Sequence, residues 1–134
     1  YKHTFDASQL DETRRILVRM CPEYVDAFDQ VMTSRSAHIF NMFIMGKKRL
    51  SEYCSWLFPI LFELEKHIPP TNYDAFGVRY LGRVSERLLD VWLIVRGYEY
   101  VELPVISPER VNWIKKGSAF LMAKAGIRKY KQSF

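Results

Sequence analysis

The chain has 134 residues, 49% hydrophobic and 15% aromatic, which suits one packed domain and excludes a disordered one. Its net charge of +5 is unevenly placed: residues 110–134 carry Arg110, Lys115, Lys116, Lys124, Arg128, Lys129 and Lys131 and no acid, leaving 13 basic against 15 acidic side chains elsewhere. The body is thus mildly acidic, which argues against a nucleic-acid-binding body, and the longest apolar run, Trp56 to Phe62, is far below the roughly 20 residues that cross a bilayer. Cys21 and Cys54 lack a CxxC spacing and His3, His38 and His67 are scattered, so free thiols and a cytoplasmic chain are expected. The opening Tyr1-Lys2-His3-Thr4-Phe5-Asp6 shows neither an initiator Met nor a secretion signal, the pattern of a piece cut from a longer protein.

Asp11 is placed to cap a first helix whose apolar positions Ile16, Leu17 and Met20 share a face, with Arg14, Arg15 and Arg19 toward its end. Cys21-Pro22 ends it and starts a second, in which Tyr24, Ala27, Phe28, Val31 and Met32 repeat at helical spacing. Residues 36–45 then run without a formal charge from Ser36 to Met45, closed by Gly46, which predicts a buried strand near 37–45. Two polar side chains interrupt it, His38 and Asn41, and each is costly in an apolar run unless it is hydrogen-bonded. They are either satisfied core groups or the lining of a ligand pocket, with Arg35 either solvated or standing at the mouth of that pocket.

A third helix follows from Leu50, Tyr53, Cys54, Leu57, Leu61, Leu64 and Ile68, widened by Trp56, Phe58 and Phe62 into a stripe expected to be buried on more than one side. Pro59 withholds an N–H from the Ser55 carbonyl, so a kink or restart is expected there. After the loop Ile68-Pro69-Pro70-Thr71-Asn72 a fourth helical pattern spans about Asp74 to Arg96, with Leu81, Val84, Leu88, Val91, Trp92 and Val95 on one side. Arg79, Arg83 and Arg87 repeat every four residues on another, a repulsive row relieved either by Glu86 and Asp90 or by an anion lying across it. Gly82 either breaks the helix or lets another group approach its backbone.

Gly97 stops that helix, and Tyr98 to Pro104 predicts a second strand near 98–104, close to a sheet edge. Ser107-Pro108-Glu109 begins a last helix with Val111, Trp113, Ile114, Phe120, Leu121 and Met122. Its interleaved lysines and arginines, Lys115, Lys116, Lys124, Arg128, Lys129 and Lys131, suit either an anionic membrane surface or a solvated tail. There is no Gly-rich phosphate loop, no HExxH, no GxSxG elbow and no zinc-spaced Cys/His set, so local motifs assemble no complete active site. Read from the residues alone, the chain is a helix-rich α/β domain over 1–109 followed by a basic amphipathic segment over 110–134.

Several blocks resemble one bacterial family: Tyr24 to Asp29, Ser34 to Met45, Glu52 to Phe58, Leu61 to Lys66, Ser85 to Leu93, Glu102 to Val105 and Asn112-Trp113. That family is catalogued as a domain of unknown function and described as capsular or exopolysaccharide glycosyltransferases. The likeness covers nearly the whole chain in order and spacing. Pro59 departs from it, since an acid or small polar residue is commoner there, which bears only on local helix shape.

The resemblance implies a nucleotide-sugar-dependent transferase of the A-type, Rossmann-like fold, of which this chain is the C-terminal half: about five helices with two core strands. By that analogy Glu86 is the catalytic base or acceptor anchor, His38 and Asn41 touch sugar, and Arg35, Arg83 or Arg87 offset phosphate charge. The partners implied are a nucleotide-sugar donor and a glycan or lipid-linked acceptor at the cytoplasmic membrane face, with no nucleic acid and with a homodimer as one way to cover the 39–45 apolar edge. No cofactor is expected on this segment, a divalent metal belonging to the half that would precede it. The alternative class is a helical binding module that offers the arginine row and the basic segment to nucleic acid or an acidic protein. Salt dependence separates the two.

Overall fold

The computed structural model describes residues 6–74 and 77–104. Helix α1 spans Ser8–Met20, α2 Val25–Thr33, α3 Lys47–His67 and α4 Tyr80–Arg96, with single 3-10 turns at Pro22–Tyr24, Pro70–Asn72 and Gly77–Arg79. One compact unit runs from Asp6 to Glu99, while residues 100–104 belong to a second unit and form no regular element. The predicted helix after Ser107, the basic segment 110–134 and the expected boundary at 109 lie outside the described residues.

Helix α1 begins earlier than its sequence suggested, because Asp6 rather than Asp11 serves its start. The Asp6 carboxylate accepts the Ser8 N–H at 2.9 Å and the Tyr73 hydroxyl at 3.0 Å. These bonds, Ser8 foremost, hold its pKa below the ordinary carboxylate value. Asp11 instead lies in the first turn, where its charge suits the helix dipole. Leu10, Ile16 and Leu17 are buried, as are Gln9 and Thr13, whereas Met20 is exposed. Thr13 satisfies its hydroxyl on the Gln9 carbonyl at 2.7 Å.

Helix α1 packs chiefly on α3, and α2 on α4. Side-chain pairs set the directions. Glu12 meets His67 and Arg19 meets Glu63, so α1 and α3 are antiparallel; the Tyr80 hydroxyl bonds the Ile68 carbonyl while Glu52 meets Tyr98, so α3 and α4 are antiparallel too. Arg14 fastens α2 to α1 through a two-pronged pair with Asp29, both bonds at 2.7 Å.

Pro59 neither restarts nor ends α3, which runs unbroken past it. Tyr53 and Leu57 before it, and Ile60, Leu61 and Leu64 after it, are all buried, so core packing on both sides of the proline supports the helix where a hydrogen bond is lost. The stripe is narrower than expected: Phe58 and Phe62 are exposed and stack on each other, ring centroids 6.0 Å apart. In α4 the core side is Tyr80, Val84, Ser85, Leu88, Leu89, Val91 and Trp92. Gly97 closes it in the left-handed region at φ 62°, with Gly97 N–H on Ile94 O and Tyr98 N–H on Leu93 O, the paired bonds of a Schellman cap.

Neither predicted strand forms; the described residues contain helices and turns but no strand. Around 37–45 the reason is local, since Phe40 and Asn41 both take positive φ, 76° and 49°, and turn the chain where a strand needs it extended. Near 98–104 the cause is at the start. Tyr98 gives its N–H to the helix cap and its ring to Trp92, 5.1 Å between centroids, and without a first strand no described segment offers it a ladder. The described residues form a four-helix arrangement whose long α2–α3 connection, residues 34–46, lies against α4.

Candidate functional site

The connection between α2 and α3 is fixed at two points on one flank of α4. At the first, Asp90 takes the His38 backbone N–H on Oδ2 at 3.1 Å and meets the His38 ring Nδ1 with Oδ1 at 2.5 Å. One carboxylate therefore sets both the backbone and the imidazole, a carboxylate–histidine pair that orients the ring by its Nδ1. At the second, the Asn41 amide is held from both ends: Nδ2 donates to the Gly82 carbonyl at 3.0 Å, and Oδ1 accepts from Ser85 Oγ at 3.1 Å. Ser85 Oγ also lies 2.7 Å from Gly82 O, so three polar groups close on one another in the first two turns of α4.

A Cβ at Gly82 would meet nothing within 4 Å, so the approach of Asn41 to its carbonyl is not forced by packing at that carbon. Gly82 falls in the first turn of α4 rather than at a break. The helix thus does not break at Gly82, and Asn41 reaches its carbonyl without needing a glycine there. Holding Asn41 is also what keeps the turn: a left-handed Phe40 beside it costs roughly 1–2 kcal/mol, which the two amide bonds, worth about 1 kcal/mol each, offset.

On α4, Gly82, Glu86 and Asp90 follow at four-residue spacing, so Glu86 stands in the same row as the two attachment points. The structure thereby gathers His38, Asn41 and the row of Glu86 on one flank. Arg83 and Arg87 lie one row further round α4, both half-buried, and Arg35 is exposed at the start of the connection. Asp90 does not simply neutralise the arginine row, because His38 takes it. His38 and Asn41 are hydrogen-bonded but not sealed in a dry interior: the His38 side chain is 38% exposed and Asn41 is exposed. Lys115, Lys116, Lys124, Arg128, Lys129 and Lys131 fall outside the described residues.

A second feature was not anticipated from sequence. An open cleft of about 880 Å³ is lined by Glu23, Tyr24, Lys47, Lys48, Ser51, Glu52, Ser55, Trp56, Trp92 and Arg96. Its walls are aromatic, with Tyr24 and Trp56 at 4.6 Å and a chain of rings continuing through Tyr53 and Trp92 to Tyr98. Arg49 covers the outer face of Tyr98 at 4.4 Å, and Glu52 joins the Tyr98 hydroxyl at 3.2 Å to Arg96 at 3.6 Å. Behind Trp56 its indole nitrogen is buried without a hydrogen-bond acceptor at bonding distance, although it still acts weakly on the Cys21 thiol, whose pKa burial raises. Both cysteines are free, as expected. The one sequence signal near this cleft is Gly46, which closes the apolar run and precedes Lys47, Lys48 and Arg49.

A third cluster gathers acids and a histidine away from both places. His67 lies between Glu12, 2.5 Å from Nδ1, and Glu63, 3.3 Å from Nε2. The Arg15 hydrogen bond, then His67, hold Glu12 below its ordinary pKa. Among the described residues no group of three or more His, Cys, Asp or Glu side chains is arranged to hold a metal ion, and no helix is long and apolar enough to cross a membrane.

Comparison with known proteins gives one result. Residues 1–97 match the family DUF4422, a domain of unknown function, and the chain belongs to that family. No curated protein matches, and no solved structure does.

Proposed function

Starting from membership of DUF4422, we propose that this chain is part of a nucleotide-sugar-dependent glycosyltransferase that extends a glycan or lipid-linked acceptor in capsule, exopolysaccharide or lipopolysaccharide synthesis. The fold proposed for the whole enzyme is the A-type, Rossmann-like one, with these helices as its C-terminal half and the strands and any metal ligands contributed from elsewhere. The observation that carries the reading is the flank of α4, where an imidazole and a carboxamide are held in fixed orientation yet open to solvent beside the row of Glu86. A left-handed aromatic residue adjoining that point is retained strain, of the kind that clusters at ligand sites.

Sugar hydroxyls need donors and acceptors whose geometry is set before binding, and the fixed His38 and Asn41 meet that need. Glu86 is the proposed base on the acceptor hydroxyl, and Arg83, Arg87 or Arg35 the proposed partners of the donor phosphates. The test is turnover by the full-length protein against a panel of nucleotide-activated sugars, followed by liquid chromatography of released nucleotide. At least one donor is consumed by wild type, and Glu86→Gln abolishes that turnover with stability changed by less than about 1 kcal/mol. Wild-type rates in Glu86→Gln remove Glu86 from the mechanism; if His38→Gln is then inactive, the base is the Asp90-oriented imidazole. No turnover of any donor contradicts the proposal itself.

A further inference from the structure

The connection that carries His38 and Asn41 also presents an apolar edge that the helices leave uncovered. Ile39 is 48% exposed, Met42 61% and Ile44 90%, and Leu50 in the first turns of α3 is exposed as well. These side chains are not loosely hung. The segment is fastened at His38 and Asn41 to α4 and at Phe43, whose ring meets Tyr53 edge-on at 5.8 Å, so Ile39 and Met42 lie between fixed points and Ile44 directly follows one.

Within this stretch of chain the formal charge has one sign, and the acids that meet it, Asp90 on His38 and Glu23 and Glu52 in the cleft with Lys47 and Lys48, come from outside it. From Arg35 to Ser51 there is no acidic residue, while Arg35, Lys47, Lys48 and Arg49 are all present and all exposed. Lysines in the first turn of α3 oppose the helix dipole, and α3 has no acid and no side-chain cap there to answer them. An apolar edge bordered by cations at a helix start satisfies both of its deficits against one kind of surface, in which lipid chains take the apolar groups and anionic headgroups take the lysines and the helix N–H groups. A second copy fits less well. A twofold dimer lays the patch on itself and brings two sets of four cations together without an acid between Arg35 and Ser51 to separate them.

We propose that Ile39, Met42, Ile44 and the start of α3 form a docking surface for an anionic bilayer, with the three apolar side chains entering the interface and Lys47 and Lys48 at headgroup level. These residues lie in a different stretch of the sequence from the basic segment 110–134, and the proposal does not depend on the transfer activity proposed above.

The test is sedimentation of the whole chain with lipid vesicles, either phosphatidylcholine alone or mixed with phosphatidylserine, at physiological ionic strength. Wild type sediments with the mixed vesicles and far less with phosphatidylcholine alone. Ile44→Glu lowers the partition about tenfold or more at an unchanged melting temperature, because its side chain packs on nothing in the free chain. Lys47→Gln/Lys48→Gln lowers it about twenty-fold on the anionic vesicles and hardly at all on phosphatidylcholine. Failure of wild type to sediment overturns the proposal. So does an Ile44→Glu chain that sediments like wild type, which transfers the binding to another segment, or a wild-type dimer that Ile44→Glu converts to monomer, which assigns the edge to a second copy.

Discussion

The seam between α3 and α4 and the connection between α2 and α3 are built from the same kinds of side chain and end in opposite environments. In the seam, Tyr53, Leu88, Trp92 and Leu64 are almost wholly withdrawn from water, whereas Ile39, Met42 and Ile44 in the connection are turned out into it. Hydrophobicity does not separate them. What differs is periodicity and fastening: the seam repeats at helical spacing, so each apolar residue returns to the same face, while the connection is tied by polar groups that fix where its apolar ones point. A run of apolar residues without a helical repeat is thus assigned its burial by the two polar residues within it.

Removing the largest ring from the seam gives the largest expected loss. Trp92→Ala costs about 3–5 kcal/mol, since Trp92 is 1% exposed and contacts both Tyr53 and Tyr98, and a urea melt shows it as a large fall in midpoint. A loss below about 1 kcal/mol would mean that the seam does not carry the fold.

Next comes the cap that ends α4. Gly97→Ala places a Cβ at φ 62° and costs about 1–2 kcal/mol in the same melt, although nothing crowds the position. On the other side of the comparison, Asn41→Ala loses both amide bonds and the tolerance of positive φ, for about 1–2 kcal/mol. Asn41→Gly keeps the backbone conformation and loses only the bonds, so it separates the two contributions. Equal melts for wild type, Asn41→Ala and Asn41→Gly would show that the connection is not fastened there.

The smallest effects are those of pH. Asp6, Glu12 and Asp29 all lie below their ordinary pKa, held there by Ser8, Arg15 and Arg14 respectively as the leading cause. A depressed carboxylate adds stability that is complete above its unfolded pKa and is lost as pH falls through the folded one. Denaturant midpoints therefore hold steady down to about pH 5 and decline below about pH 4, modestly because these groups are solvent-screened. At the alkaline end Tyr80 is pushed up to about 12 by burial, so its share is complete below about pH 10 and is lost as pH rises toward that value. Stability that rises on acidification from pH 5 to pH 3 would contradict these pairings.

Much of the helical framework was legible before any coordinates. Ile16 and Leu17, Phe28 and Val31, Leu57 and Leu64, and Val84, Leu88 and Trp92 all recur at helical spacing and all are buried. The cap at Gly97 was legible too, because a left-handed end favours glycine. The strands were not, since an apolar run of this length reads the same whether its partner ladder exists or not, and the positive φ of Phe40 has no sequence signal. For the candidate site, His38 and Asn41 stand out as polar residues in an apolar run and Glu86 only through the family resemblance, while the groups that hold the first two do not stand out. In the sequence Asp90 reads as a neutraliser of arginines and Ser85 carries no signal, because a partner 44 or 52 positions away leaves no local pattern. The aromatic cleft at the start of α3 was missed for the same reason, being assembled from three separate segments.

The site requires the 34–46 connection to be a tied, solvent-facing turn rather than a strand. Amide hydrogen exchange resolved by residue tests this most directly. The account predicts a protected amide at His38, bonded to Asp90, with rapid exchange from Met42 to Met45 and slow exchange across the α3 and α4 interiors. Protection at alternate residues through 37–45, as a paired strand would give, would contradict it.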